Sequence, residues 1–128
     1  MPKQIISTPK APAPIGPYSQ AVKAGDILFV SGQVAIDPAT NEVITGTVEE
    51  ETDRVMKNLE AILTEAKVTF EHVVKTDIFL SDMSYFPIVN QVYGSYFKGD
   101  YPARATVAVK TLPKNVNVEI GVTATISL

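Results

Sequence analysis

Tyr101-Pro-Ala-Arg-Ala-Thr-Val-Ala-Val-Lys110 and Val116-Asn-Val-Glu-Ile-Gly-Val-Thr-Ala-Thr-Ile126 decide how the chain is read. Both alternate with the period of two that belongs to half-buried strands, and Thr111-Leu-Pro-Lys-Asn115 joins them, so the pair reads as a hairpin. In the first run Ala105, Val107 and Val109 share a face and Arg104, Thr106, Ala108 and Lys110 take the other. In the second, Val118, Ile120, Val122, Ala124 and Ile126 oppose Glu119, Gly121, Thr123 and Thr125. Arg104 and Glu119 are thereby expected together on a small, polar sheet face. Charged residues beside Gly and Thr in mid-strand are not core, and the chain around them is too apolar for ordinary solvent face, so a ligand or another subunit is expected there. If Lys110 pairs with Asn117, then Glu119 faces Ala108 and Arg104 faces Thr123. At ~3.3 Å per residue the two charges stand roughly 13 Å apart along the sheet, too far to hold one small ligand from within a single chain.

At 128 residues with 45% hydrophobic content the chain reads as one domain, residues 1–128, able to bury about two thirds of its unfolded surface around a single core. The absence of Cys removes disulfides, thiolate metal sites and a cysteine nucleophile together. A single histidine, His72, argues against a His-based metal site or catalytic dyad. Neither a metal nor an organic cofactor is expected. A net charge of −3 disfavours a nucleic-acid surface, which needs clustered Lys and Arg. No apolar run approaches the roughly 20 residues of a membrane span, and Met1-Pro-Lys-Gln4 lacks the layout of a signal peptide, so a soluble cytoplasmic protein is expected.

From Met1 to Gly16, prolines at 2, 9, 12 and 14 indicate an extended arm on the body. Ala21-Val22 and Ile27-Leu-Phe-Val30, separated by Ala24-Gly25-Asp26, read as a hairpin. The second of these strands runs into Ser31-Gly32, and a glycine there marks either a bulge alone or a close approach by a ligand. Asp37-Pro-Ala-Thr-Asn41 is a surface turn. Thr47 to Ala66 is the clearest helix, with Val55, Met56, Leu59, Ile62, Leu63 and Ala66 recurring at three and four and Thr47 and Glu50 forming a capping box. Glu49-Glu-Glu51 reads as its solvated start, and His72 as a lone surface imidazole. Val73-Val-Lys-Thr-Asp-Ile-Phe-Leu80 is a strand. A second helix from about Ser84 to Phe97 carries core aromatics, with Pro87 in its first turn. Asn90 on that helix is either a satisfied half-buried amide or a contact reaching over the helix edge to the site. The order ββαβαββ gives a mixed α/β (α+β) sheet with both helices on one face. The other face, left in water, would expose more apolar surface than monomers usually do, so subunits are expected to pack there with pockets in the seams.

Ile15-Gly-Pro-Tyr18-Ser-Gln, Val30-Ser-Gly-Gln33, Val89-Asn90-Gln-Val-Tyr, Tyr101-Pro-Ala-Arg104 and Leu112-Pro-Lys-Asn-Val-Asn-Val-Glu119-Ile follow one another in an order and spacing that resembles the RidA/YjgF family of imine deaminases. The resemblance covers nearly the whole chain. It implies a chorismate-mutase-like fold, a homotrimer with pockets at the subunit interfaces, and hydrolysis of reactive 2-imino acids and their enamines (2-aminoacrylate, 2-iminobutanoate, 2-iminopropanoate) to 2-oxo acids and ammonia. By motif match, Arg104 is the carboxylate clamp, Glu119 the acid that handles water, and Tyr18, Ser31, Gly32 and Asn90 line the pocket. Thr106, also placed with the substrate, departs from the family pattern, which has Cys there. That difference bears on thiol-based regulation or substrate preference more than on hydrolysis.

The residue chemistry fits this reading. A 2-imino acid offers a carboxylate that a planar guanidinium holds through two parallel hydrogen bonds, and an electrophilic C=N carbon open to water. Protonating the nitrogen and deprotonating water need one acid–base group, which a carboxyl in a desolvated seam supplies. Arg104 and Glu119 could instead be a structural ion pair across an interface. Two other functions stay open. One is a non-enzymatic trimer that binds small carboxylates in the same pocket, for which Arg104 suffices. The other is an endoribonuclease, an activity also ascribed to the family; Lys98, Arg104, Lys110 and Lys114 cluster near the hairpin, but an acidic chain with one His lacks the phosphate affinity and the acid–base couple.

Overall fold

Thr47 starts the longest element through the expected capping box. Its hydroxyl accepts from the Glu50 amide while the Glu50 carboxylate accepts from the Thr47 amide, so α1 (Val48–Glu65) begins with orphan N–H groups satisfied. Val55, Met56, Leu59, Ile62 and Leu63 are all buried, which is the apolar stripe turned to the sheet. The computed structural model describes residues 2–128. Its strands are β1 (Gln4–Ile6), β2 (Ala21–Ala24), β3 (Ile27–Gln33), β4 (Ile36–Asp37), β5 (Glu42–Val43), β6 (Val73–Leu80), β7 (Ala103–Ala108) and β8 (Val118–Thr125). Six form one mixed sheet in the order β1-β2-β3-β8-β6-β7, and β4 and β5 form a small ribbon around the Asp37–Asn41 turn. The second helix is shorter than its sequence pattern. Asp82 caps a 3-10 turn, Met83–Tyr85, through the Ser84 amide; α2 then runs Phe86–Gly94, and i→i+3 bonds close Tyr96 and Phe97 into turns. No described helix is long and apolar enough to cross a membrane.

The N-terminal arm contributes a strand that its prolines hide, because β1 precedes most of them and pairs with β2. The buried Gln20 amide pins the rest: its oxygen accepts from the Thr8 amide at 2.7 Å and its nitrogen donates to the Thr8 and Pro12 carbonyls at 3.0 and 2.9 Å. β2 and β3 form the expected hairpin around Gly25, whose φ of 60° suits a tight turn. The β3–β8 register slips between Val30 and Gln33, which makes Ser31-Gly32 a bulge.

The expected β7–β8 hairpin does not form. β6, α2 and β7 make a crossover unit, so β7 lies parallel to β6 at the sheet edge, while β8 inserts between β3 and β6 and runs antiparallel to both. The segment joining β7 to β8 therefore steps past β6 instead of turning back. Val109 donates to the Leu80 carbonyl at 2.8 Å, Ser81 donates to the Asn117 carbonyl at 3.0 Å, and Lys114 and Asn115 turn the chain between them at φ of 56° and 57°. This changes the faces. Arg104 lies opposite Thr76, which lies opposite Val122, so Arg104 and Thr106 share the helix-bearing face with the core. Glu119 lies opposite Phe79, which lies opposite Val107, on the open face. The two charges are on opposite sides of the sheet, not on one polar face. The pairings Glu119 with Ala108 and Arg104 with Thr123 are thus overturned, and with them the separation built on that register.

The acidic start of α1 is also not wholly solvated. Glu51 is buried, and its carboxylate accepts from the Asn117 amide at 2.8 Å, the Asn117 side chain at 3.0 Å and the Val118 amide at 3.0 Å. It anchors the first residues of β8 to the helix. Glu51→Ala is expected to cost about 3 kcal/mol, since two backbone donors lose their acceptor at roughly 1–3 kcal/mol each, and Glu51→Gln about half as much. Urea unfolding at fixed protein concentration reads the difference, and an unshifted midpoint for Glu51→Ala would remove this anchoring role.

Candidate functional site

Edge strand β7 carries Arg104 beside α2, where Phe86, Asn90 and Tyr93 lie at helical spacing on one stripe. The guanidinium carbon sits 5.3 Å from both the Phe86 and the Tyr93 ring centroids, and Nη1 donates to Asn90 Oδ1 at 2.7 Å. The Tyr93 hydroxyl is in turn bonded to the Thr76 hydroxyl at 2.9 Å, which fixes the ring; burial raises the Tyr93 phenol above its ordinary pKa. Among the described residues no carboxylate lies within ion-pair distance of Arg104. The side chain is thus oriented by a neutral acceptor and two aromatic faces, and it opens on a cleft of about 650 Å³ also lined by Gln91, Tyr101 and Pro102. Thr106 follows on the same face, half-buried, with its hydroxyl shielded and without a hydrogen-bond partner among the described residues.

On the open face Glu119 occupies the middle of the sheet, with its carboxyl lying over Gly32 in the β3 bulge. Ser31 is held toward the β2 side by its amide on the Gln20 carbonyl (2.9 Å) and its hydroxyl on the Ser19 carbonyl (2.6 Å). Tyr18, half-exposed, shares a small cavity of about 30 Å³ with Gly32. No cation stands within ion-pair distance of Glu119 among the described residues; the nearest along this face, Lys75, pairs with Asp77 at 3.0 Å. Burial raises the Glu119 carboxyl above its ordinary pKa. The chain therefore gathers its candidate residues in two groups, Arg104 with Asn90 on one side and Glu119 with Gly32, Ser31 and Tyr18 on the other. The first can hold an anion, the second can carry a proton.

The family model described as endoribonuclease L-PSP matches residues 8–126. The chain belongs to this family, the RidA/YjgF family. It is 48% identical to the 2-iminobutanoate/2-iminopropanoate deaminase of Mus musculus over 92% of this chain and 87% of that one. Among solved structures it is similar to RidA from the Antarctic bacterium Psychrobacter sp. PAMC 21119 (TM-score 0.92, 41% identity, 96% of this chain and 99% of that one). It is similar also to E. coli TdcF with bound serine (TM-score 0.91, 36% identity, 95% and 98%). The RidA/YjgF fold and the general imine-deaminase character of the family thus agree with the reading of the motifs.

Sequence reasoning missed the aromatic faces that flank the Arg104 guanidinium, because Phe86 and Tyr93 read as core. The signal that could have found them is Asn90 on their own stripe, a polar residue between two aromatics at i+4 and i+7. Of the two readings of Asn90, the contact is the one that forms, and the residue is exposed.

The raised carboxyl has a measurable sign. An acid that holds its proton more tightly folded than unfolded adds stability below its ordinary value of 4.5 and loses that contribution as pH climbs through the folded pKa. Glu119→Gln, which cannot ionise, is expected to melt with the wild type at low pH and increasingly above it as pH rises past 4.5. A gap that does not change with pH would show that the carboxyl is not desolvated.

Proposed function

We propose that the protein hydrolyses small 2-imino acids and their enamine tautomers to 2-oxo acids and ammonia, in pockets formed where the Arg104 side of one subunit meets the open face of the next. The observation that carries this reading is that an unpaired guanidinium and a carboxyl inclined to keep its proton lie on opposite faces of one sheet, so that only a second copy can bring them to one small substrate. The open face supports such packing. Ile5, Phe29 and Val107 are each about half exposed on it, around the single Lys75–Asp77 pair. A closed homotrimer of the kind implied by the family resemblance provides three such seams.

The steps follow from the groups. The substrate carboxylate lies on Arg104 through two parallel N–H donors, with Asn90 holding the guanidinium and Phe86 and Tyr93 keeping water from its faces. Protonated Glu119 donates to the imine nitrogen, and the iminium carbon becomes the target of water. The resulting carboxylate takes a proton from that water as its oxygen bonds to carbon. Returning this proton to the amino group of the tetrahedral adduct lets the C–N bond break; ammonia leaves, and the hydroxyl gives its proton to the Glu119 carboxylate as the C=O of the 2-oxo acid forms, which restores the protonated acid. One water is consumed and no electrons leave the substrate. Serine bound to E. coli TdcF favours a second reading, a pocket that only binds small amino carboxylates. Ribonuclease action has less support, since the one histidine, His72, is tied through Nδ1 to the Thr69 amide and hydroxyl.

Arg104→Lys is expected to lose most imine hydrolysis, because an ammonium cannot make the bidentate contact. Glu119→Gln is expected to keep 2-oxo acid affinity and lose about 10²–10⁴-fold in turnover, which separates an enzyme from a binding protein. The seam itself is tested by refolding equal amounts of Arg104→Ala and Glu119→Ala chains together. Random mixing restores about a quarter of wild-type sites if the two groups come from different chains. No recovery, with mixed oligomers present by mass, would sink the shared pocket.

A further inference from the structure

We propose that Gly32 is the positioning residue for Glu119: the space left by its missing side chain is the seat of the Glu119 carboxyl, and that space, not backbone freedom, is what the bulge needs from glycine. The inference rests on the proposed role of Glu119. A Cβ at position 32 would lie 2.5 Å from Glu119 Oε2, 2.9 Å from Cδ and 3.0 Å from Cγ, so the whole end of the side chain lies along it. The glycines of the chain with positive φ are Gly25 and Gly99; Gly32 is not among them, so an alanine there meets no left-handed strain. The atoms it would meet belong to the far end of a flexible side chain, which yields by swinging away and leaves the strands in place. Gly121, across the strand pair, provides the contrast. Its added Cβ would stand 3.5 Å from the Gly32 Cα and N and from the Val30 carbonyl, an ordinary contact, and none of its nearest neighbours belongs to Glu119.

The bulge explains how the seat is made. Ser31 is drawn toward β2 by its two bonds to the Ser19 and Gln20 carbonyls, and the extra residue turns the bare Gly32 toward β8. The groups around the carboxyl on this face are Phe79 and Val107 in its own row and Ala105, Asp77 and Gly121 in the next, with Lys75 and Thr123 one row on. Asp77 and Lys75 pair with each other at 3.0 Å, and burial raises the Glu119 pKa. A methyl at position 32 lifts the carboxyl off this surface into water, lowering its proton affinity and moving it from the place where it meets an imine nitrogen.

The experiment follows the Glu119 carboxyl directly by carbon-13 NMR of glutamate-labelled protein, assigned with Glu119→Gln, in wild type, Gly32→Ala and Gly121→Ala. Turnover of 2-iminobutanoate generated in situ and affinity for 2-oxobutanoate are measured alongside. Gly32→Ala is expected to move the Glu119 titration down toward that of ordinary glutamates and to lower kcat by about 10- to 100-fold, with 2-oxobutanoate affinity kept within about threefold. Adding Gly32→Ala to Glu119→Gln is expected to remove nothing further from kcat, because the glycine acts only through the carboxyl. Gly121→Ala leaves both titration and kcat near wild type. An unmoved Glu119 titration in Gly32→Ala, an equal shift in Gly121→Ala, or a further loss of kcat in the double variant overturns the assignment. If wild-type protein shows no imine turnover, the proposed function fails, and the NMR titration still decides whether Gly32 seats the carboxyl.

Discussion

A side chain on one face of a sheet cannot reach a ligand bound on the other, and this constraint governs the whole molecule because β8 lies inside the sheet and β7 at its edge. With β3 on one side and β6 on the other, β8 buries Val118, Ile120, Val122 and Ala124 under the helices and turns Glu119, Gly121 and Thr123 outward. β7 has a neighbour on one side only, so Arg104, pointing toward the helix layer, emerges at its rim and not in its core. The edge position gives a charged residue an apolar wall without burying it.

The two charged groups are prepared differently. Arg104 is oriented by Asn90, a neutral acceptor, and by the faces of two rings, none of which cancels its charge, so the guanidinium is held in a fixed plane with its charge unspent. A carboxylate in the place of Asn90 would have fixed the guanidinium as firmly and consumed it. Glu119 is prepared by deprivation: set among Phe79, Val107 and a bare glycine, it has little to stabilise its charge. The Lys75–Asp77 pair on the same face shows the opposite arrangement, with each charge set 3.0 Å from its counter-ion.

Much of this is legible in the sequence where a local rule decides. The α1 stripe and its Thr47–Glu50 box, the Gly25 turn, the Ser31-Gly32 bulge and the extent of β6 all follow from spacing and turn chemistry within a few residues. Strand neighbours do not. β7 and β8 alternate equally well, and nothing in either run says that one is an edge and the other a centre; the crossover through α2, which takes one flank of β6 for β7, settles it only in three dimensions. The error put Arg104 and Glu119 on one face, and the same non-local origin explains why Glu51 read as solvent-facing: its partners are 66 and 67 residues away. The candidate residues themselves were readable as types, but their division between two faces was not.

Gln20 ties together parts of the chain that seem unrelated. Its side chain holds Thr8 and Pro12 of the proline-rich arm, and its backbone carbonyl receives the amide of Ser31, next to the glycine under Glu119. The arm is therefore a brace for the bulge and not a loose leader, because releasing it strands a buried amide whose backbone is half of the Ser31 anchor. Cleavage near Lys10, or a bulky fusion that drags on the first strand, is expected to be felt through this joint at the open face, far from the cut in covalent terms and two hydrogen bonds away in space.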